Sequence, residues 1–177
     1  IFMRIQITED PFFESKRHEP WRGRDQWPAA WVSAPELNAP PAVVAFRLFF
    51  TAEEAYTARI HVSADERYEL FLDGGRVGRG PERGDWLHWF FESYELSIEP
   101  GDHALVARVW ALGRGLRPHA QLSTSPGFLL AGEGAANATL STDLAKWQVK
   151  ALSGYEFVRP RTARTGANLQ VDGASFD

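Results

Sequence analysis

From residue 43 to residue 110 the chain places apolar side chains at every second position and interrupts each run with Gly, Pro or Asp. A period of two puts those side chains on one face of a β-strand, whereas a helix would need a period near 3.6. In residues 43–50, Val44, Phe46, Leu48 and Phe50 share one face and Arg47 the other. In residues 58–63, Ile60 and Val62 alternate with Arg59, His61 and Ser63, and in residues 67–72, Tyr68, Leu70 and Leu72 alternate with Arg67, Glu69 and Phe71. Asp73-Gly74-Gly75 then supplies residues that accept positive φ, which predicts a hairpin into residues 76–78. In residues 88–98, Phe90, Tyr94, Leu96 and Ile98 fall on one face. Glu99-Pro100-Gly101-Asp102 reads as a tight turn. Residues 104–112 are apolar on both faces apart from Arg108, the pattern of a central strand. Later strands are expected at residues 128–131, around Leu140 and at residues 147–152, and only residues 52–56 and 142–146 suit a turn or two of helix. Many short strands between Gly/Pro turns predict an all-β sandwich or jelly roll.

The 177 residues fit one domain with a core that needs no disulfide or structural metal. Cysteine is absent, which excludes disulfides, a Cys-ligated zinc and a Cys nucleophile. The net charge of −4 argues against nucleic acid, because phosphate binding needs clustered excess Lys and Arg. Acidic residues interleave the patch of Arg76, Arg79 and Arg83, while Arg159, Arg161 and Arg164 form another. No apolar run reaches the roughly 18–20 residues of a membrane span. Residues 1–10 lack the charged start and apolar stretch of a signal peptide. Opening on Ile1 rather than Met, the chain is read as a piece of a longer protein. The compartment stays open between bacterial cytoplasm, periplasm and exterior.

Three stretches are expected. Residues 1–42, punctuated by Pro11, Pro20, Pro28, Pro35, Pro40 and Pro41, form an irregular segment that Trp21, Trp27 and Trp31 pin to the sandwich. Short extended pieces are expected within it at residues 4–8 and 31–33. Residues 43–158 form the sandwich core, and residues 159–177 a polar tail or the start of a neighbouring domain.

Tests for familiar chemistry mostly remove it. The glycines at Gly74, Gly75, Gly78, Gly80 and Gly84 match neither a dinucleotide nor a phosphate-loop spacing, so they read as hairpin and bulge glycines. Arg83-Gly84-Asp85 matches an adhesion tripeptide by letter alone. His18, His61, His88, His103 and His119 show no ligand spacing and read as solvated histidines, so no metal ligand is assigned. No GxSxG elbow marks a serine nucleophile. Asp65, Glu66, Asp73, Asp85 and Asp102 fall near strand ends, where a glycosidase pair or a calcium site would need such oxygens. They read instead as turn formers or solvated charges, and no catalytic residue and no cofactor is assigned. Asn137-Ala138-Thr139 fits a glycosylation acceptor, relevant only in a eukaryotic secretory host.

One cluster carries recognition chemistry. Arg83, Asp85, Trp86, His88 and Trp89 lie within seven residues in a loop entering a strand. An aromatic face stacks on the apolar side of a pyranose while charged groups bond its hydroxyls. The alternative is that Trp86 and Trp89 are buried against the N-terminal segment.

The stretch from His61 through Ser63-Ala64-Asp65-Glu66-Arg67-Tyr68-Glu69-Leu70-Phe71-Leu72-Asp73-Gly74-Gly75-Arg76-Val77-Gly78-Arg79-Gly80-Pro81 resembles the N-terminal β-sandwich module of bacterial α-L-rhamnosidases and related glycosidases. Tyr94-Glu95-Leu96 and Pro100-Gly101-Asp102-His103-Ala104-Leu105-Val106-Ala107-Arg108-Val109-Trp110 continue it. Trp31 with Ala45-Phe46-Arg47-Leu48-Phe49-Phe50 upstream, and Ser141-Thr142-Asp143-Leu144-Ala145-Lys146-Trp147 downstream, extend it over residues 27–149. Asp73 stands where such modules usually carry Asn. A looser version of the hairpin occurs in the sugar-binding-like domains of β-galactosidases. The resemblance implies a galactose-binding-like fold and a non-catalytic accessory role, packing on a catalytic domain of the same polypeptide. It also admits contact with carbohydrate, sometimes with calcium, or an independent carbohydrate-binding module. In such enzymes the catalytic acids lie in a separate helical-barrel domain, and nothing here resembles one.

Overall fold

The computed structural model describes residues 2–12, 27–82, 84–85, 88–117, 123–159 and 167–176. Its strands are β1 (Phe2–Ile5), β2 (Ala42–Ala52), β3 (Tyr56–Asp65), β4 (Arg67–Leu72), β5 (Gly75–Gly80), β6 (Glu92–Ile98), β7 (Gly101–Ala111), β8 (Gly127–Gly132), β9 (Gln148–Ala151), β10 (Tyr155–Val158) and β11 (Asn168–Val171). A short helix, α1 (Ala136–Leu140), lies between β8 and β9. One sheet has the order β1-β6-β3-β8 and the other β5-β4-β7-β2-β9, with antiparallel pairing throughout. The fold is a β-sandwich, as the alternation predicts.

The alternation becomes burial. Val44, Phe46, Leu48 and Phe50 of β2, and Tyr68, Leu70 and Leu72 of β4, all face the core. Across the layers Phe46 stacks on Phe128 of β8, with ring centroids 5.5 Å apart. The buried hydroxyls of Tyr68 and Tyr94 meet at 3.1 Å, so each ring buries its polar end with a partner. A Cβ on Gly78 would lie 2.4 Å from the Tyr94 hydroxyl, so that glycine makes room for the ring. The turn after β4 has Asp73 at φ 50° and Gly74 at φ 78°, the left-handed pair that the Asp-Gly spacing predicts.

Several expectations change. Phe90 precedes β6 and is 48% exposed rather than facing the core, because the strand starts only at Glu92. Leu140 is buried at the end of α1 and not in a strand. Residues 53–55 turn between β2 and β3, and residues 142–145 form turns, so neither stretch suited to helix forms one. The described residues of the N-terminal stretch are partly regular: β1 is the edge strand beside β6, and Val32 forms a bridge with Phe128. Trp21 lies outside the described residues. At the other end β10 and β11 pair with each other, so the boundary drawn at residue 158 falls inside a hairpin. Among the described residues no helix is long and apolar enough to cross a membrane.

The solvated reading of His61 is overturned. His61 and Ser63 alternate onto the outer face of the four-stranded sheet, yet both are buried. The N-terminal stretch and the β5–β6 loop cover His61: Phe12, Trp27 and Phe91 set their rings around the imidazole with centroids at 5.3, 6.3 and 5.7 Å. Nδ1 lies 2.8 Å from Ser93 Oγ and Nε2 2.8 Å from Glu133 Oε1. Burial pushes the His61 pKa below its ordinary value, outweighing the upward pull of the Glu133 bond.

The folded state therefore refuses a proton that the unfolded chain accepts near pH ~6.5. Stability contributed by neutral His61 is present above that pH and is lost as pH falls through it toward the folded value. Urea midpoints should fall between about pH 7.5 and about pH 5.5, and His61→Asn should flatten that fall. A variant with the full fall would show that His61 is not its source.

Candidate functional site

Register brings four segments to one end of the sandwich. Asp65 pairs with Gly127, Arg67 with Trp110, Tyr68 with Gly80, and Val62 with Glu92. The β3–β4 turn, the β5–β6 loop, the β7–β8 loop and the N-terminal stretch around Trp31 therefore meet there.

Asp65 and Glu66 organise this end, and they are neither exposed nor mere turn formers, at 2% and 5% exposure. Glu66 accepts hydrogen bonds from the Leu112 and Gly113 backbone N–H groups at 2.8 and 3.2 Å, with Arg117 Nε 3.5 Å away. Asp65 Oδ2 accepts from the N–H groups of Thr124 and Ser125 at 2.6 and 2.8 Å. Adjacent carboxylates thus fasten both described ends of the β7–β8 loop. Burial pushes the Glu66 carboxyl above the usual range, against the N–H groups and Arg117 that favour its ionised form.

The sequence cluster is only partly brought together. Arg83 and Trp86 lie outside the described residues. Asp85 and His88 engage each other: Asp85 Oδ1 accepts from the His88 backbone N–H at 2.8 Å, and His88 Nδ1 lies 2.9 Å from both carboxylate oxygens. The loop closes tightly here, since a Cβ on Gly84 would sit 2.0 Å from the His88 carbonyl oxygen. Trp89 is half-buried; its Nε1 donates to Ser63 Oγ at 2.9 Å, and Ser63 Oγ donates to the Phe90 carbonyl at 2.8 Å. The Trp89 ring meets Trp31 edge-on, with centroids 6.0 Å apart. Packing against the N-terminal segment therefore holds Trp89.

Among the described residues, the exposed large aromatic surfaces of this end are ones the cluster omitted, Trp31 at 46% and Phe90 at 48%. Trp31 stood among prolines and read as a pin; it packs on Trp89 yet keeps an open face. Alternation placed Phe90 in the core, so no local signal marked it as exposed.

The remaining flagged acids have partners at the far end. Asp73 Oδ1 accepts from the Ala104 N–H at 2.8 Å and Oδ2 lies 2.7 Å from His103 Nδ1, while Asp102 accepts from the Thr51 hydroxyl at 2.6 Å. Calcium takes about six to eight oxygens. Among the described residues no group of three His, Asp or Glu could hold an ion, and Asp65 Oδ1 is the one buried side-chain oxygen without a hydrogen bond.

No protein-family model matches the chain. An α-L-rhamnosidase of Streptomyces avermitilis (strain MA-4680) is 31% identical over 129 residues, covering 59% of this chain and 12% of that protein. The crystal structure of a GH78 family rhamnosidase of Bacillus sp. GL1 superposes on 85% of this chain with a TM-score of 0.72 and 26% identity. The chain is homologous to part of the α-L-rhamnosidases. It matches only 16% of the Bacillus chain, so the shared region is a module of a much longer polypeptide there. The Pleurotus ostreatus lectin in its apo form shares the fold at 17% identity and a TM-score of 0.51, over 84% of this chain and 42% of that one. The sandwich is accordingly galactose-binding-like, the fold class that the rhamnosidase resemblance implies.

Proposed function

We propose that this chain is a non-catalytic accessory module of an α-L-rhamnosidase-type glycoside hydrolase, packing on the catalytic domain of the same polypeptide. The observation that carries it is the homology itself, which runs through most of this chain but through 16% of the Bacillus rhamnosidase. The placement of the acids supports it. A glycosidase needs two carboxyls within roughly 5–10 Å across one bond. Asp65 and Glu66 share one end, but both are buried and hold backbone N–H groups, and Asp73, Asp85 and Asp102 each have a polar partner. Deleting the module from the longer polypeptide should lower the Tm of the remainder and leave kcat on a small chromogenic rhamnoside within about threefold, since that substrate reacts wholly inside the catalytic domain. A folded deletion protein without turnover would contradict the reading.

A second reading adds carbohydrate contact at the loop end, favoured by the open faces of Trp31 and Phe90 beside the Asp85–His88 pair. Calorimetric titration with L-rhamnose and with plant or bacterial glycans should then give saturable binding whose affinity Trp31→Ala reduces at least tenfold. No saturable heat, or heat untouched by Trp86→Ala and Trp89→Ala, removes that cluster as the platform.

A further inference from the structure

Exposed large apolar side chains are scattered singly over most of the surface, as is ordinary for a soluble domain. The exception lies in residues 155–176, which hold Leu169, Val171 and Phe176, all at least 40% exposed. Tyr155 stands opposite Val171 and Phe157 opposite Leu169, so four apolar side chains share one face of the β10–β11 hairpin. Phe176 extends that face by stacking on Tyr155 at 5.2 Å. A cleft of about 210 Å³, lined from Lys150 to Ser153 and by Tyr155 and Phe176, joins the hairpin to the exposed edge strand β9.

Among the described residues, the hairpin is held to the sandwich from its β10 side. Arg108 Nη1 donates to the Tyr155 hydroxyl at 3.1 Å and Arg159 reaches the Gly115 carbonyl at 3.4 Å. On the β11 side Leu169 and Val171 stay about half exposed. A two-stranded sheet is marginal by itself in water, and an apolar stripe of this kind marks an interaction site.

We infer that the β10–β11 face and its cleft are where the neighbouring domain of the same polypeptide docks. The inference rests on the accessory-module reading. A second copy is the poorer occupant: a stable dimer needs about 20–30 residues a side, and this patch offers a handful. A domain tethered in the same chain sits at an effective concentration near millimolar, so a small apolar patch suffices.

Hydrogen exchange on the longer polypeptide and on the 177-residue chain tests this. Amides of Tyr155–Val158 and Asn168–Val171 should exchange at least tenfold more slowly in the longer protein. Leu169→Thr with Val171→Thr, which keeps strand-forming residues, should abolish that difference while circular dichroism of the 177-residue chain stays unchanged. Protection appearing on another surface overturns this docking face and leaves the accessory reading intact. Protection nowhere on the module overturns both. A 177-residue chain that is dimeric by light scattering, and monomeric as the double variant, assigns the face to a second copy and also overturns the inference.

Discussion

Phe128→Ala should cost about 3–5 kcal/mol of unfolding free energy, the usual cost of truncating a fully buried aromatic. Phe128 is completely buried, stacked on Phe46 and edge-on to Tyr68 and Trp147 at 6.4 and 5.4 Å. It therefore bridges β8 in one sheet to β2 and β4 in the other, and its backbone exchanges hydrogen bonds with Val32 of the covering N-terminal stretch. Alanine keeps those backbone bonds but opens a cavity that three rigid rings cannot close. Urea unfolding followed by circular dichroism measures the loss, with Val149→Ala as the exposed control expected within about 0.5 kcal/mol. A loss below about 1 kcal/mol would mean that the interlayer contact is not made.

Glu66→Ala is expected to cost about 2–4 kcal/mol, because it leaves the Leu112 and Gly113 N–H groups without their acceptor in a buried site. Glu66→Gln should cost less, since an amide oxygen can accept in the same place and burial already disfavours the ionised carboxyl. The effect should also be local. Amide exchange at Leu112 and Gly113 should quicken in the alanine variant, while Thr124 and Ser125 remain held by Asp65. Equal acceleration at both ends of the loop would show that the two carboxylates do not clamp independently.

These two sites mark the limits of what was legible in the sequence. Phe46, Leu48, Tyr68 and Leu70 could be placed in the core because alternation and the Asp-Gly turn are local signals. Phe128 was placed in a strand, but its role as a bridge depends on which strands face each other. His61 looked solvated because the rings that cover it come from residues 12, 27 and 91. Asp65 and Glu66 looked like turn residues because the N–H groups they accept lie 46–60 residues onward. At the candidate site the sequence marked Trp89 by its company, and the structure shows it held by Ser63 and Trp31. The open ring of Trp31 had no local signature, since burial on one face and exposure on the other is decided by tertiary packing.

The hairpin at residues 155–171 carries the same lesson into function. Its alternation is short and its return strand lies in a polar stretch, so the sequence suggested a tail. Paired, the two strands raise a half-covered apolar face that an accessory module would present to its neighbour.

The most direct measurement of the central claim is hydrolysis of a nitrophenyl α-L-rhamnoside by the 177-residue chain and by the longer polypeptide, side by side at equal molar concentration. An accessory module predicts turnover by the longer protein and none above the buffer rate by this chain. Rhamnoside hydrolysis by this chain alone, or a longer protein without glycosidase activity, would contradict it.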